Sequence, residues 1–461
     1  METQVSEGPD ASARSARRRV LAQPAFRRYY LGYASSLLGT AMAGTAATFA
    51  VLDSGRGAAD LGLVSASGIV PLLVCLPAAG VLADRFGSRR VLLAADALRC
   101  LNRAAFALCL VAVPRLPLWL FVLFSVLQNI GDGLFLPAYS ALIPRLVDGA
   151  SLRPANAALA LAKSTFAVMG PAVSGVLVAG CGPALVLGLD SVSFGVCFLA
   201  LLGIPLAGPG AVGRRARPLA DLREGWAVFA AHPWLWLSTL QFALFNLLVW
   251  APYLVLGPTM ALLHYGGSRA WGIALGSWGL GGAVGAAAVS RLRESRRPLI
   301  LGILGTAGYA LAPASFALRL PLPLVAALLL VGGASTQISG VLYSTVQQRV
   351  LPVGALARVS SYNILGAFAL GPLGLAAAGP IGNLVGYGSV LGFGAVTQLL
   401  LTALVLAVPA GRRTPGLARR APGQRPGEYE HAEDPAELAE VAVDVVEQGS
   451  LGHGRDVQEV G

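Results

Sequence analysis

Six ionisable side chains lie inside long apolar stretches of the 461-residue chain: Asp96, Arg99, Arg103, Asp132, Lys163 and Asp190. A charge at the centre of a bilayer costs about 2.5–3.5 kcal/mol on insertion scales, so residues of this kind are paired, functional or both. On a helix Asp96, Arg99 and Arg103 follow an i, i+3, i+7 pattern and share one face, and Gln128 precedes Asp132 by one turn. The chemistry on offer is proton binding by a carboxylate and ion pairing with a guanidinium or an ammonium. Asp132 serves either as a proton carrier or as half of a salt bridge that fixes helix packing. Asp96 reads as structural, because its arginine neighbours pair with it. Asp190 is either a coupling acid or a hydrogen-bonded acid near a helix start. At about 1.5 Å rise per residue, Asp132 and Lys163 reach similar depth on consecutive helices, and we expect them to pair.

Other chemistries find no support. The five cysteines, Cys75, Cys100, Cys109, Cys181 and Cys197, lack metal-ligand spacing, and the four histidines fall in loops or the tail. There is no nucleophile elbow and no phosphate loop, and the glycine-rich stretch 276–285 lies in an apolar helix without the strand that a dinucleotide fingerprint needs. The expectation is a protein that is not an enzyme and takes neither cofactor nor metal.

The elements that position these residues follow from composition. Hydrophobic residues make up 55% of the chain and charged ones 12%, with a mean hydropathy of +0.68, against roughly 25% charged in a soluble domain. About 20 apolar residues cross a bilayer, and on that ruler the chain gives about twelve helices: 29–52, 61–83, 91–113, 118–142, 155–178 and 184–204, then 235–263, 270–292, 299–318, 322–346, 356–384 and 390–408. The basic start resembles a signal peptide, but the apolar run after it is long enough to stay as a spanning helix. With the N-terminus cytoplasmic, 27 of the 34 basic residues fall in cytoplasmic segments. That asymmetry predicts both termini inside. It also explains the net charge of +11 by orientation rather than by nucleic-acid binding.

The expected organisation is an arm at 1–28, a six-helix bundle at 29–205, a cytoplasmic linker at 206–233, a second six-helix bundle at 234–410 and a disordered tail at 411–461, which could also bind a partner. In the linker Leu219, Leu222, Trp226 and Phe229 recur at i, i+3, i+7, i+10, which suits either a helix lying on the membrane face or a cap on the bundle ends. The bundles echo one another: Gly170-Pro171-Ala172-Val173-Ser174-Gly175 recurs as Gly371-Pro372-Leu373-Gly374. The loop Gly80-Val81-Leu82-Ala83-Asp84-Arg85-Phe86-Gly87-Ser88-Arg89-Arg90 recurs at 291–297 without its acid. Gly80 and Gly87 are expected to turn the backbone and let it approach a neighbouring helix. The second bundle offers hydrogen-bonding and aromatic groups instead of charges, namely Gln241, Asn246, Trp250, Trp278, Gln337, Tyr343 and Asn363, a lining suited to an amphipathic organic ligand.

The loop pattern G-x-L-x-D-R-x-G-x-R-R, the paired halves and the Gly170-Pro171 helix resemble the major facilitator superfamily over residues 27–409. The run G-P-x-x-S-G resembles its exporter branch. Pro137-Ala138 through Ile143-Pro144, followed by Asn156, is similar to the multidrug, macrolide and siderophore efflux group that includes enterobactin exporters. The resemblance implies an all-α membrane protein of two pseudo-symmetric bundles that rock about a central site. It also implies a loop acid, Asp84, holding one access state against a helix start such as Ser360-Ser361. Drug/proton antiporters carry R-x-x-Q-G-x-G in the fourth helix, whereas this chain has Leu127 and Ile130 in the Arg and Gln places, so Arg99, Arg103 or Lys163 would have to substitute. The function implied is export of a hydrophobic or amphipathic small molecule from the cell, coupled to protons, by a lipid-embedded monomer in the cytoplasmic membrane. Import, lipid movement between leaflets and a non-transporting sensor or scaffold are the alternatives.

Overall fold

Prolines open the helices and glycines turn the corners. Pro24, Pro183, Pro233 and Pro298 are each the first residue of a helix, where the missing N–H is not needed. A computed structural model describes residues 19–204, 226, 229–289, 298–351, 359, 362–363, 366 and 368–408. Its helices are α1 Pro24–Asp53, α2 Ala58–Ser67, α3 Ile69–Phe86, α4 Ser88–Ala112, α5 Leu118–Leu146, α6 Leu152–Cys181 and α7 Pro183–Leu202. There follow α8 Pro233–His264, α9 Ser268–Val289, α10 Pro298–Ala317, α11 Leu322–Val350, α12 Gly371–Val385 and α13 Tyr387–Ala407. Among the described residues there is no strand. Ten spans are long and apolar enough to cross a bilayer, with α2 running on into α3. The α4 helix has the length, at 25 residues, and carries the Asp96, Arg99 and Arg103 charges. The α12 helix, 15 residues, completes the set of apolar segments.

Single glycines join three pairs of these helices: Gly87 between α3 and α4, Gly182 between α6 and α7, and Gly386 between α12 and α13. All three have φ between +80° and +91°. Their ψ values, from 136° to 165°, place them near a region that only glycine occupies readily. Gly182 and Gly386 occupy matching places after the two Gly-Pro helices, so the internal echo extends to the backbone. Gly182→Ala is expected to cost about 1–3 kcal/mol, measured as a lowered melting temperature of the purified protein.

The stretch 80–86, expected as a loop, is the last two turns of α3, and Gly87 alone makes the turn. Gly80 is also not a point of close approach, since no described atom lies within 4 Å of where its Cβ would sit. Outside the described residues fall the side chain of Asp84, Ser360-Ser361, most of the linker, the second copy of the loop and the tail.

Alternating helix directions put residues 54–57, 113–117, 182, 265–267, 318–321 and 386 at one end of the molecule, and residues 87, 147–151 and 203–204 at the other. Among the described residues a single hydrophobic core fills the first end and draws on both halves of the chain, including Phe49, Phe121 and Val186 together with Tyr253, Trp271, Phe316 and Leu391. At the opposite end there are two separate cores, one around Phe26, Leu92, Leu142 and Leu201, the other around Trp234, Leu299 and Val346. The sealed end is made by α2 against α12 and α6 against α9. Glycines permit it. Gly379 faces the backbone of Ala59, Gly62 faces the Leu375 carbonyl, and Gly175 faces Gly272. Ser268 Oγ adds a hydrogen bond to the Gly175 carbonyl oxygen at 3.2 Å.

Candidate functional site

The buried charges gather where α4, α5 and α7 meet. Asp96 and Arg99, one turn apart on α4, form a buried ion pair. The same guanidinium reaches Asp132 on α5, with Nη1 to Oδ1 at 3.3 Å. It is also sandwiched between two rings, Phe135 at 3.8 Å and Phe194 at 4.3 Å from their centroids. Arginine suits this place because its planar, weakly hydrated cation stacks on aromatic faces while its edge pairs with carboxylates. Gly131 makes room for it, since a Cβ there would strike the Arg99 side chain. One turn further along α4, Arg103 Nε lies 2.9 Å from Asp190 Oδ2 on α7. Ser193 Oγ donates to the other Asp190 oxygen at 3.4 Å. Gln128 ties the group together: its Nε2 donates to both Asp132 oxygens at 3.4 Å and its Oε1 accepts from Asn102 Nδ2 at 3.4 Å.

The pairing of Asp132 with Lys163 is not formed. Lys163 is exposed, and among the described residues it has no ion-pair partner. Depth along the axis follows from rise per residue, but α5 packs on α4 and α3 and only grazes α6, so α5 and α6, though consecutive in the chain, are not close neighbours in space. The three acids also differ in access: the side chains of Asp96 and Asp190 are 0% exposed and that of Asp132 is 28% exposed. Together they set three carboxylates against two guanidinium groups, an excess of one acid.

In the second half the polar groups form a neutral network. Gln241 Nε2 donates to Thr306 Oγ1 at 3.3 Å, and Thr306 and Thr402 share a hydroxyl hydrogen bond at 3.0 Å. Asn363 Nδ2 donates to Thr239 Oγ1 at 3.0 Å and to the Tyr343 hydroxyl at 2.8 Å. Gln241 and Tyr343 line a cavity of about 70 Å³ between α8, α10 and α11, together with Thr306 and Tyr309. Trp278 sits beside it in an aromatic group with Trp250 and Tyr309, ring centroids 5.6–5.9 Å apart. Asn246 turns back to donate to the Phe242 carbonyl, and Gln337 is exposed; neither lines that cavity. Thr306, Tyr309 and Thr402 were not singled out from the sequence. A hydroxyl one or two turns from a buried amide, as Thr402 is from Gln398, was the available signal.

Of the charged turn, Arg89 donates to the Leu201 and Leu202 carbonyls at 3.3 and 2.8 Å, and Arg28 donates to the Gly203 carbonyl at 2.7 Å. Both cations therefore satisfy the C-terminal end of α7. Arg85 stacks on Phe86, and Arg85 and Arg90 are exposed. In the Gly-Pro helix, Gly170 lies against Ala41 and Gly175 against α9.

Spanning helices, charge buried in one half, neutral cavities in the other and a core that joins the halves at one end only define a membrane transporter of the major facilitator type. The chain belongs to the transmembrane secretion effector family of that superfamily, which matches residues 18–414. It is 30% identical over 400 residues to the enterobactin exporter EntS of Citrobacter koseri, covering 83% of this chain and 92% of that one. To EntS of Escherichia coli O139:H28 it is 28% identical over 408 residues, covering 85% and 94%. Solved structures share the fold. A point mutant of the nucleoside transporter NupG superposes with a TM-score of 0.67 at 13% identity, covering 83% of this chain and 99% of that one. A bacterial homologue of the iron transporter ferroportin, in an inward-facing state, gives 0.62 at 17%, covering 84% and 99%.

Proposed function

We propose that the protein exports a hydrophobic or amphipathic small molecule across the cytoplasmic membrane by alternating access, with protons moving the other way. The observation that carries this reading is the shared core at one end and the two separate cores at the other. Parting the sealed end and closing the split one would move a central site from one membrane face to the other. The arginine distribution supports assigning the split end and both termini to the cytoplasm. The outward direction is supported by relatives named as exporters. Residues 29–205 and 234–410 act as the rocking bodies, and one chain suffices. The switch is the end of α3, the Gly87 turn and the start of α4, with Gly80, Asp84, Arg85, Gly87, Arg89 and Arg90.

Asp132 is the proton site. An excess carboxylate can hold a proton while the other two stay paired, and of the three acids Asp132 alone has appreciable access. Gln241, Tyr343, Asn363 and Trp278 contribute the neutral wall of the substrate path. The test uses cells lacking the gene, loaded with a panel of fluorescent dyes and siderophores. Expression lowers accumulation of the transported compound, and a protonophore restores it. Asp132→Asn is expected to abolish the response of efflux to an imposed pH gradient. A response that persists in Asp132→Asn moves the proton to Asp190, and uptake in place of efflux removes export.

A further inference from the structure

The first half also holds a cavity of about 180 Å³, walled by α1, α2, α4 and α5, that the proton site does not use. Its wall includes the Phe106 and Phe121 rings, and its polar side chains are Thr48, Ser65, Arg103, Ser125, Gln128 and Asn129. No acid lines it among the described residues. Arg103 is only 8% exposed. A guanidinium has five N–H donors; the Nε of Arg103 faces Asp190 at 2.9 Å, while its two Nη groups make no hydrogen bond or ion pair among the described residues. Asp190 balances its charge from α7, outside the cavity wall, and meets the Nε side of the guanidinium only. Three of the amide and hydroxyl neighbours are already engaged. Gln128 donates to Asp132, Ser125 donates to the Val64 carbonyl at 2.9 Å, and Asn129 donates to the Ser125 carbonyl at 2.9 Å. The cavity thus presents one cation with its Nη donors free, next to two aromatic rings.

We propose that this cavity binds an aromatic anion, its carboxylate or phenolate oxygens on Arg103 and its ring against Phe106 and Phe121. An apolar cavity of roughly 150 Å³ accepts a benzene ring, so the space fits one substituted ring, the whole of a small ligand or the end of a larger one. A planar guanidinium is matched to a carboxylate through paired, charge-assisted hydrogen bonds. The inference names a chemical feature of the exported molecule. It rests on the export reading for the ligand's movement and not for its binding.

Binding to the purified full-length protein in detergent separates the two. Benzoate, benzamide and benzylammonium share a ring and differ in charge, and each is titrated while the melting temperature is followed, since a ligand of the folded state raises it in proportion to occupancy. Benzoate is expected to raise it, with benzamide and benzylammonium inert. Arg103→Gln should weaken benzoate at least about tenfold, the loss of a charge-assisted hydrogen bond. Because that variant strands Asp190, Arg103→Gln with Asp190→Asn is read beside it, and Ser65→Phe fills the cavity with Arg103 intact; both should lose the benzoate response. Benzamide acting as well as benzoate, no response to benzoate, or a response that survives both the double variant and Ser65→Phe overturns the proposal. Efflux in cells is scored independently, so a failed titration leaves the export reading standing.

Discussion

Methionine in place of Arg99 is expected to lower stability by about 3–5 kcal/mol, the usual cost of leaving a buried carboxylate without its cation. Arg99 is the sole ion-pair partner of both Asp96 and Asp132 among the described residues, and Phe135 and Phe194 close on its two faces. Methionine keeps most of the volume and loses the charge, so the effect reads electrostatics rather than packing. The measurement is the melting temperature and yield of monodisperse protein in detergent. Adding Asp96→Asn removes one stranded charge and should restore part of the loss, a rescue that a packing defect would not show. A single variant that melts within about 1 °C of the parent, on the order of 1 kcal/mol for a chain of this size, would remove the cluster's central cation from the account.

Gly379→Ala is expected to cut transport by about tenfold to a hundredfold with little effect on folding. A Cβ at Gly379 would strike the Ala59 backbone, where neither helix has a flexible side chain to give way. Overpacking of this kind costs about 1–3 kcal/mol, and each 1.4 kcal/mol is tenfold in an equilibrium. Here the strain falls only on the conformation in which α2 and α12 touch. The sealed state loses population to the opposite one. Spin labels or cysteine cross-links placed across α2 and α12 should report a longer separation and slower linking, in step with lost efflux. Gly188→Ala, with no atom within 4 Å of its new methyl, is the control. Unchanged cross-linking in Gly379→Ala would show that the two helices need not touch during the cycle.

Much of this architecture can be read from residue order alone, because a bilayer punishes any unpaired backbone group and so forces apolar runs into helices. The i, i+3 spacing of Asp96 and Arg99 and the i, i+4 spacing of Gln128 and Asp132 needed only helical geometry, and both contacts form. Contacts between helices were harder. Rise per residue gives depth, but which face meets which neighbour depends on packing order, and this separates Asp132 from Lys163 and brings Arg103 to Asp190. The Phe135 and Phe194 rings around Arg99 were invisible for the same reason, since one is on α5 and the other on α7. The turn at Gly87 is shorter than residue order suggests: one residue at φ +86° reverses the chain, so polarity extending to Gly80 marks a helix end and not a loop.

The two halves divide their chemistry unequally. Between Pro233 and Ala410 the sequence has one acid, Glu294, and the cavity in that half is built of hydroxyls, amides and rings. Substitutions there reshape a neutral surface and leave the buried ion pairs of the first half untouched. Changes confined to the downstream part of the gene can therefore reshape that surface while the paired charges encoded upstream stay constrained by one another.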